Sequence, residues 1–540
     1  MNKNQARVIA LLSLAILALA FMISSRVWFR IDLTKDKAYT ISQVSRNLYQ
    51  EIPDQVLITY FVSDRLGLAH PMPGEIADLL REYAAHSRGK IRFVQKDPVK
   101  AELLGVVEEL GIAPQQIQVV EKNETTVATV FTGILIEYLD RQEVIPVVFS
   151  LDTLEYDLSS RIRSLVRNVD RELGVIVGDA YRQWNNDFGY LHRELVLSGF
   201  KLRLITPGEE IPAALPALFV LGGAEDLDES CLYAIDRYIA TGGNVLFAVD
   251  GVFVDTSGSL EARSMQDKGL LAMLANYGAV VRQALVLDVT ALNLTFRTQT
   301  GNSTVIRSIR YPEWIGVQEQ KGNPNHLLTG RFGGLDLYWA SPLELSPPPG
   351  VSAEILFTST EGAWLQVENF ITNPNMVMYF ENEAAHTRGT KILGAALSGI
   401  FPRSVPEFSD QEHPFDGQEL YPIQAKPSRL IVVGDADFAS GFMQVSRGEA
   451  RNLDFLIKAA EWLSSDDDIL SIRSRENTAG RLDRITNRDE RYAAMSFSRT
   501  INTIVVPLLV ILTGLFIIWR RAIRLGRISS KNPKERPDDL

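Results

Sequence analysis

A single cysteine, Cys231, occurs in 540 residues. It excludes an internal disulfide, a disulfide scaffold and a dithiol redox site. Its setting, "SCLYAIDRYIA", has a helical pattern in which a small buried apolar residue is the expected role. The six histidines, His70, His86, His192, His326, His386 and His413, are widely spaced and read as surface or loop residues, not as metal ligands. No G-x-x-x-x-G-K-[ST] is present. "GTKILGAALSG" (Gly389 to Gly399) lacks that spacing, so the chain has no evident phosphate loop. There is no G-x-S-x-G elbow and no H-E-x-x-H. Asp466-Asp467-Asp468 lacks the alternation of a calcium loop and reads as a solvated turn. The expectation is a chain with no catalytic residues, no cofactor and no metal.

Cationic surplus is also missing. The formal net charge is −11, and a dense basic tail (Arg520, Arg521, Arg524, Arg527, Lys531, Lys534, Arg536) leaves the middle more acidic still. That balance argues against nucleic acid and against a broad face for anionic lipid. Hydrophobic residues at 46% and charged residues at 22% are ordinary globular values, so a folded core is expected.

Charge is absent altogether from two runs. Val8 to Ser25 would span roughly 27 Å as a helix, close to a bilayer core. Thr500 to Trp519 is similar. Lys3 and Arg7 before the first run, and the basic tail after the second, predict that both termini lie in the cytoplasm. Everything between would then be extracytoplasmic. Ala18-Leu19-Ala20 also resembles a signal-peptidase site, and cleavage is the alternative. The apolar character continues through Phe21, Met22 and Ile23, as in an anchor.

The pattern divides the chain into 1–29 (cytoplasmic start and first membrane helix), 30–53 (an amphipathic juxtamembrane segment) and 54–150. "VLITYFVS", "GEIADLLREYAAHSRGK", "IRFVQKDP", "KAELLGVVEEL", "IQVVEK" and "VATVFTGILIEYL" give the order β-α-β-α-β-β of a thioredoxin-like fold. Asp64, Arg65 and Leu66 stand where such a fold carries its cysteines. A linker helix follows over 151–170. Residues 171–475 alternate apolar strands and helices, predicting a doubly wound parallel sheet of the class I glutamine-amidotransferase or flavodoxin-like kind. An insertion near 260–420 would also hold later strands of the same sheet. A linker (476–499), the second membrane helix (500–519) and the tail (520–540) complete an α/β protein flanked by two transmembrane helices.

"VIVGDA" (Val175 to Ala180) recurs as "IVVGDA" (Ile431 to Ala436), and "LFAVDG" places Asp250 comparably. Doubly wound sheets bind ligands at the carboxyl edge, so Asp179, Asp250, Asp435 and Asp437 could converge on a cation or a sugar. Two of them within about 5 to 10 Å would even permit hydrolysis of envelope sugars. Alternatively they cap helices and satisfy loop amides. After the first apolar run, Thr40-Ile41-Ser42 supplies a cap, and Val44, Leu48 and Ile52 form a stripe. That stripe could couple to a partner or pack on the 54–150 unit.

Distributed pieces, in order, resemble the gliding-motility (GldG-type) auxiliary components of ABC-2-type transport systems. They are "RIDLTKDKAYTISQVSRNL", "LEYDLSSRIRSL", "YAIDRYIATGGNVLFAVD", "ILGAALSGIFPRS", "RLIVVGDADFAS", "NLDFLIKAAEWLSSDDDILSIRSR" and "INTIVVPLLVILTGLFIIWRRAIR". Two positions depart: Gly178-Asp179-Ala180-Tyr181 replaces a Gly-His-x-Glu turn, and Asp250-Gly251 replaces Asp-Pro. The resemblance implies a non-catalytic, two-pass subunit of a bacterial cytoplasmic membrane. It implies two partners, a multi-spanning permease and a separate cytoplasmic ATPase, and an envelope polysaccharide or lipid as possible cargo. The alternative is a stand-alone anchored binding protein for polysaccharide or other envelope components.

Overall fold

The computed structural model describes residues 41–464, other than 122–123, 150, 152, 168–170, 257–259, 301–302, 331, 380–386 and 405–424, together with Leu508, Leu512 and Gly514. The first apolar run, nearly all of the second, the 476–499 linker and the basic tail lie outside the described residues. Among those described, no helix is long and apolar enough to cross a membrane. Residues 41–464 fall within one compact unit, Tyr39–Asn477. Its architecture is mixed α/β, built as a small and a large lobe.

The small lobe begins with helix α1 (Gln43–Glu51), capped where the Ser42 hydroxyl accepts the Ser45 N–H at 3.1 Å. Strand β1 (Val56–Val62) lies between β2 (Ile91–Lys96), parallel to it, and β5 (Thr132–Tyr138), antiparallel. The hairpin partner β6 (Arg141–Ile145) makes the order β2-β1-β5-β6. Helix α2 (Met72–His86) carries the crossover between β1 and β2. The sequence of β1, "VLITYFV", carries no charge because both its faces are covered. Val56, Ile58 and Tyr60 pack with α1 and α2, whereas Phe61 joins Val107, Ile112 and Leu135 behind the sheet.

One expected strand is two. "VATVFTGILIEYL" breaks at Phe131: among the described residues β3 (Gln115–Glu121) and β4 (Glu124–Val130) pair only with each other, as a separate hairpin. Ser63 makes the break. Its N–H donates to the Phe131 carbonyl at 3.0 Å, and its hydroxyl oxygen accepts the Phe131 N–H at 2.9 Å. The chain is thus drawn to the end of β1 before β5 starts.

Helix α3 (Leu154–Arg167) joins the lobes. The large lobe then runs β7 (Glu172–Val177), α4 (Gly189–Leu197), β8 (Lys201–Leu204), β9 (Ala217–Leu221), α5 (Glu229–Ala240) and β10 (Asn244–Ala248). Helix α6 (Leu270–Tyr277) leads to β11 (Ala279–Val281), β12 (Leu343–Leu345), β13 (Val351–Thr358), β14 (Ile392–Gly399), β15 (Ser428–Val433) and α7 (Glu449–Ser464). Among the described residues these strands form one sheet in the order β11-β12-β14-β15-β10-β9-β7-β8, with β13 also on β14.

Five strands, β15-β10-β9-β7-β8, are mutually parallel. Chain order reverses between β7 and β9, the switch point of a doubly wound sheet. The remaining strands are antiparallel, so the sheet is mixed where a parallel one was expected. Residues 279–399 supply no α-helix, among those described, to carry a parallel crossover. Side chains alternate between two cores. Val175, Phe219, Leu246 and Ile431 face α4 and α7; Ile176, Val220, Phe247 and Val432 face α5 and α6. Burial on both faces is why these strands read as unbroken apolar runs.

Candidate functional site

Three parallel strands end together at the carboxyl edge of the large sheet. β7 runs into Gly178-Asp179, β10 into Asp250, and β15 into Gly434-Asp435-Ala436-Asp437. The backbones approach closely here. A Cβ on Gly178 would lie 2.6 Å from Gly223 Cα, and one on Gly222, at φ +73°, would lie 2.0 Å from Asp179 Oδ2. These contacts fix where the carboxylates start.

The carboxylates converge on one residue that the sequence reading passed over, Arg182. Its Nε is 3.0 Å from Asp179 Oδ2, one terminal nitrogen is 2.9 Å from Asp437 Oδ1, and the other is 3.7 Å from Asp250 Oδ2. The Arg182 side chain is 7% exposed. Two of the remaining oxygens are held by backbone. Asp179 Oδ1 accepts the Gly223 N–H at 2.7 Å, and Asp250 Oδ1 accepts the Ala436 N–H at 2.8 Å. Asp435 stands apart from the guanidinium and takes backbone donors only: Tyr338 N–H at 2.6 Å on one oxygen, Asp437 and Phe438 N–H at 2.7 and 3.2 Å on the other. The structure therefore gathers Asp179, Asp250 and Asp437 around a guanidinium and uses Asp435 to shape the turn after β15.

Charge does not balance. Three buried carboxylates share the Arg182 guanidinium, and the fourth, Asp435, feels the charges of Asp250 and Asp437, so full ionisation is unfavourable. Burial first, then Asp437, raises Asp250 to about 8 against the pull of Arg182. Burial, followed by Asp250 and Asp437, holds Asp435 well above the usual carboxylate range. Burial also raises Asp179 and Asp437, with Arg182 opposing in each case. For Arg182, burial alone would weaken protonation, but Asp437 and Asp250 outweigh it and keep the guanidinium charged. Chemically this is a seam that ties three strand ends with an internal cation. Among the described residues no group of three His, Cys, Asp or Glu side chains has the disposition of a metal site. Of these contacts the sequence shows only the closeness of Asp179 and Arg182 in "GDAYR", and nothing there points to Asp250 or Asp437.

The second candidate set lies on α1. Leu48 and Ile52 are each 1% exposed and belong to the small-lobe core with Leu158 and Ile162 of α3. Val44 is partly buried against the large-lobe core. The stripe faces inward, and Leu48 and Ile52 present no surface to a partner. Beside it is a buried polar junction. The Ser42 N–H and the Ser45 hydroxyl donate to Glu155 Oε1 at 2.8 and 2.6 Å. Ser45 Oγ and Ser159 Oγ are 2.9 Å apart, and the Tyr83 hydroxyl is 2.8 Å from Ser159 Oγ. At the far end of α1, Glu51 pairs with Arg167 at 3.1 Å. Helix α3 continues the connection: Tyr156 lies in the large-lobe core, while Leu154, Leu158 and Ile162 lie in the small one. Nothing in the local pattern marks Glu155 as a junction, since it reads as one more polar residue of an amphipathic helix.

Comparisons with known proteins follow the same division of the chain. A family model described as an ABC-type uncharacterized transport system matches residues 170–459, and one for a domain of unknown function matches residues 35–137. An uncharacterized protein of Borreliella burgdorferi is 26% identical over 535 residues, covering 96% of this chain and 99% of its own. Among solved structures, the mmIFT52 N-terminal domain aligns at 12% identity and TM-score 0.31, over 55% of this chain and 98% of its own. A ThuA-like protein from Parabacteroides merdae aligns at 10% identity and TM-score 0.25, over 54% and 90%.

Proposed function

Because the chain belongs to the ABC-type uncharacterized transport system family, we propose that it is a non-catalytic accessory subunit of an ABC-2-type transporter of the gliding-motility kind. It is held in a bacterial cytoplasmic membrane by residues 8–25 and 500–519, with both termini inside and the two lobes outside. A multi-spanning permease and a separate cytoplasmic ATPase complete the system. The lack of a phosphate loop supports hydrolysis of ATP by another chain. The order β2-β1-β5-β6 supports a thioredoxin-like small lobe, and the parallel order β15-β10-β9-β7-β8 supports a flavodoxin-like large one.

The observation that carries the coupling role is the Ser42–Ser45–Glu155–Ser159 junction. Seventeen residues separate the first apolar run from helix α1, which is fixed to α3, whose side chains enter both cores. Movement of a permease felt before Ile41 would reach both lobes without slack. An interior junction transmits motion in this way because close-packed interiors deform little.

Purification of the full-length protein from its native membrane in mild detergent tests the assignment. A permease and an ATPase should co-purify, and should be lost when 500–519 is replaced by an unrelated membrane helix. Recovery of the protein alone, under conditions that preserve other membrane complexes, would favour the stand-alone anchored binding protein instead.

A further inference from the structure

Helix α7 ends at Ser464, and the residues that follow it, 465–473, lie outside those described. The chain leaves beside an open groove of about 630 Å³ at the amino ends of β10 and β15. That volume admits a few side chains, not a folded partner. Trp462, in the last turn of α7, forms one wall. The frame is fixed by the lobe's own bonds. Asn244 Oδ1 accepts the Arg429 N–H at 2.8 Å, and Asn244 Nδ2 donates to the Leu463 carbonyl at 2.7 Å.

The groove has a charge polarity. Arg429, on β15, holds its guanidinium 5.1 Å over the Trp462 indole. Lys426 is exposed beside Gly242, which lines the groove. Glu354 is on β13, and β14 lies between it and Arg429. Their backbones therefore stand two strand spacings, about 10 Å, apart. The groove is cationic toward α7 and acidic toward β13. Leu327, 39% exposed, adds an apolar surface to its lining.

The residues after α7 carry the complementary order. "SDDDILSIR" (465–473) sets Asp466, Asp467 and Asp468 first, then Ile469, Leu470 and Ile472, and Arg473 last. Three carboxylates just past a helix C-terminus meet the helix's own partial negative charge. A nearby cation offsets that repulsion, and Arg429 and Lys426 stand at the place required. Asp468 is four residues beyond Ser464, a reach of up to about 14 Å. Arg473, nine residues on, has the length to cross to Glu354. Because the segment starts at the groove's wall, it meets the groove at a local concentration on the order of mM, and weak contacts suffice.

We propose that 465–473 lies in this groove as a strap, with its aspartates on Arg429 and Lys426 and its apolar residues on Leu327. The docking requires only this chain. Its consequence rests on the anchored-subunit reading: the approach to 500–519 would be tied to the large lobe, as α1 is tied to α3.

The test uses the purified full-length chain in mild-detergent micelles, without permease or ATPase, so its outcome is independent of the co-purification result. Cys231→Ala removes the native thiol, and a nitroxide on Ser471→Cys is read by electron paramagnetic resonance. The parent should show a dominant immobile component that falls in 1 M salt. Lys426→Glu with Arg429→Glu should lower the docked-to-free ratio about fivefold. Adding Asp466→Lys, Asp467→Lys and Asp468→Lys should restore it, which separates lost docking from lost folding. A single mobile spectrum in the parent overturns the proposal. So does an immobile component that persists when the three aspartates become serine, or one that fades on dilution because a second copy holds the segment.

Discussion

Replacing Arg182 by methionine tests whether the carboxyl-edge seam is held by its internal cation. The substitution keeps most of the side-chain length and removes a guanidinium lying 2.9, 3.0 and 3.7 Å from three buried carboxylates. Removing one partner of a buried ion pair costs about 3–5 kcal/mol when the other charge stays behind. Here the carboxylates have an escape, because they can take up protons. Burial already raises Asp250 to about 8 and lifts its neighbours, and losing Arg182 would raise them further. At pH 5.5 Asp250 would be neutral in the variant and its raised neighbours more readily protonated than at high pH, so the loss should shrink to about 1–2 kcal/mol of missing hydrogen bonds. At pH 8.5 more of the charge remains, and the loss should approach the full figure.

The sign for the parent protein is consistent with this. A carboxyl whose folded value is raised keeps in the native state a proton that the unfolded chain has released. Its contribution is complete below about 4, the unfolded value, and is lost as pH rises through the folded one, here about 8 for Asp250. Urea unfolding followed by tryptophan fluorescence, at pH 5.5 and 8.5, reads both numbers. Asp250→Asn, which retains the acceptor for the Ala436 N–H, should flatten the parent's decline toward high pH. A loss for Arg182→Met below about 1 kcal/mol at both pH values, or larger at pH 5.5, would refute the reasoning.

Gly222→Ala should destabilise by about 2 kcal/mol or more, since the new Cβ meets Asp179 Oδ2 at 2.0 Å on a backbone with φ +73°; thermal melting checks this. Leu48→Asp places a charge at a core position 1% exposed, so the small lobe should open, at a cost of about 4 kcal/mol, and limited proteolysis should cut within 41–148. Glu313, raised to about 8 by burial with Tyr311 opposing, holds its proton at neutral pH. Glu313→Gln should be tolerated at pH 7 and more stable than the parent at pH 8.5, as denaturation curves at the two pH values would show.

Much of the large lobe was legible because burial on both faces leaves no polar residue inside "VIV", "LFVL", "VLFA" and "IVV". The antiparallel half was not, since β11, β12, β13 and β14 pair with one another across long intervening segments. The break at Phe131 escaped notice because β-propensity runs unbroken through it, and a hydroxyl 68 residues earlier decides it. Arg182 was invisible for a similar reason. Its neighbours at 179, 250 and 437 meet only once three strands are laid side by side, and no local spacing encodes that.

Four of the seven pieces of sequence that carry the family resemblance meet in space at two buried polar junctions. "AYTISQVSRNL" and "LEYDLSSRIRSL" supply both sides of the Ser42–Ser45–Glu155–Ser159 junction. "NVLFAVD" and "RLIVVGDADFAS" supply Asp250 and Asp437 to the Arg182 seam. Each piece is weak as a motif because each is half of a contact. Polar contacts buried this way are demanding in geometry, since a half-satisfied one is worse than an apolar replacement. A chain that needed only a stable core could have filled both places with leucine. That it ties α1 to α3 fits the coupling role proposed above, while the guanidinium fixes three strand ends within the large lobe.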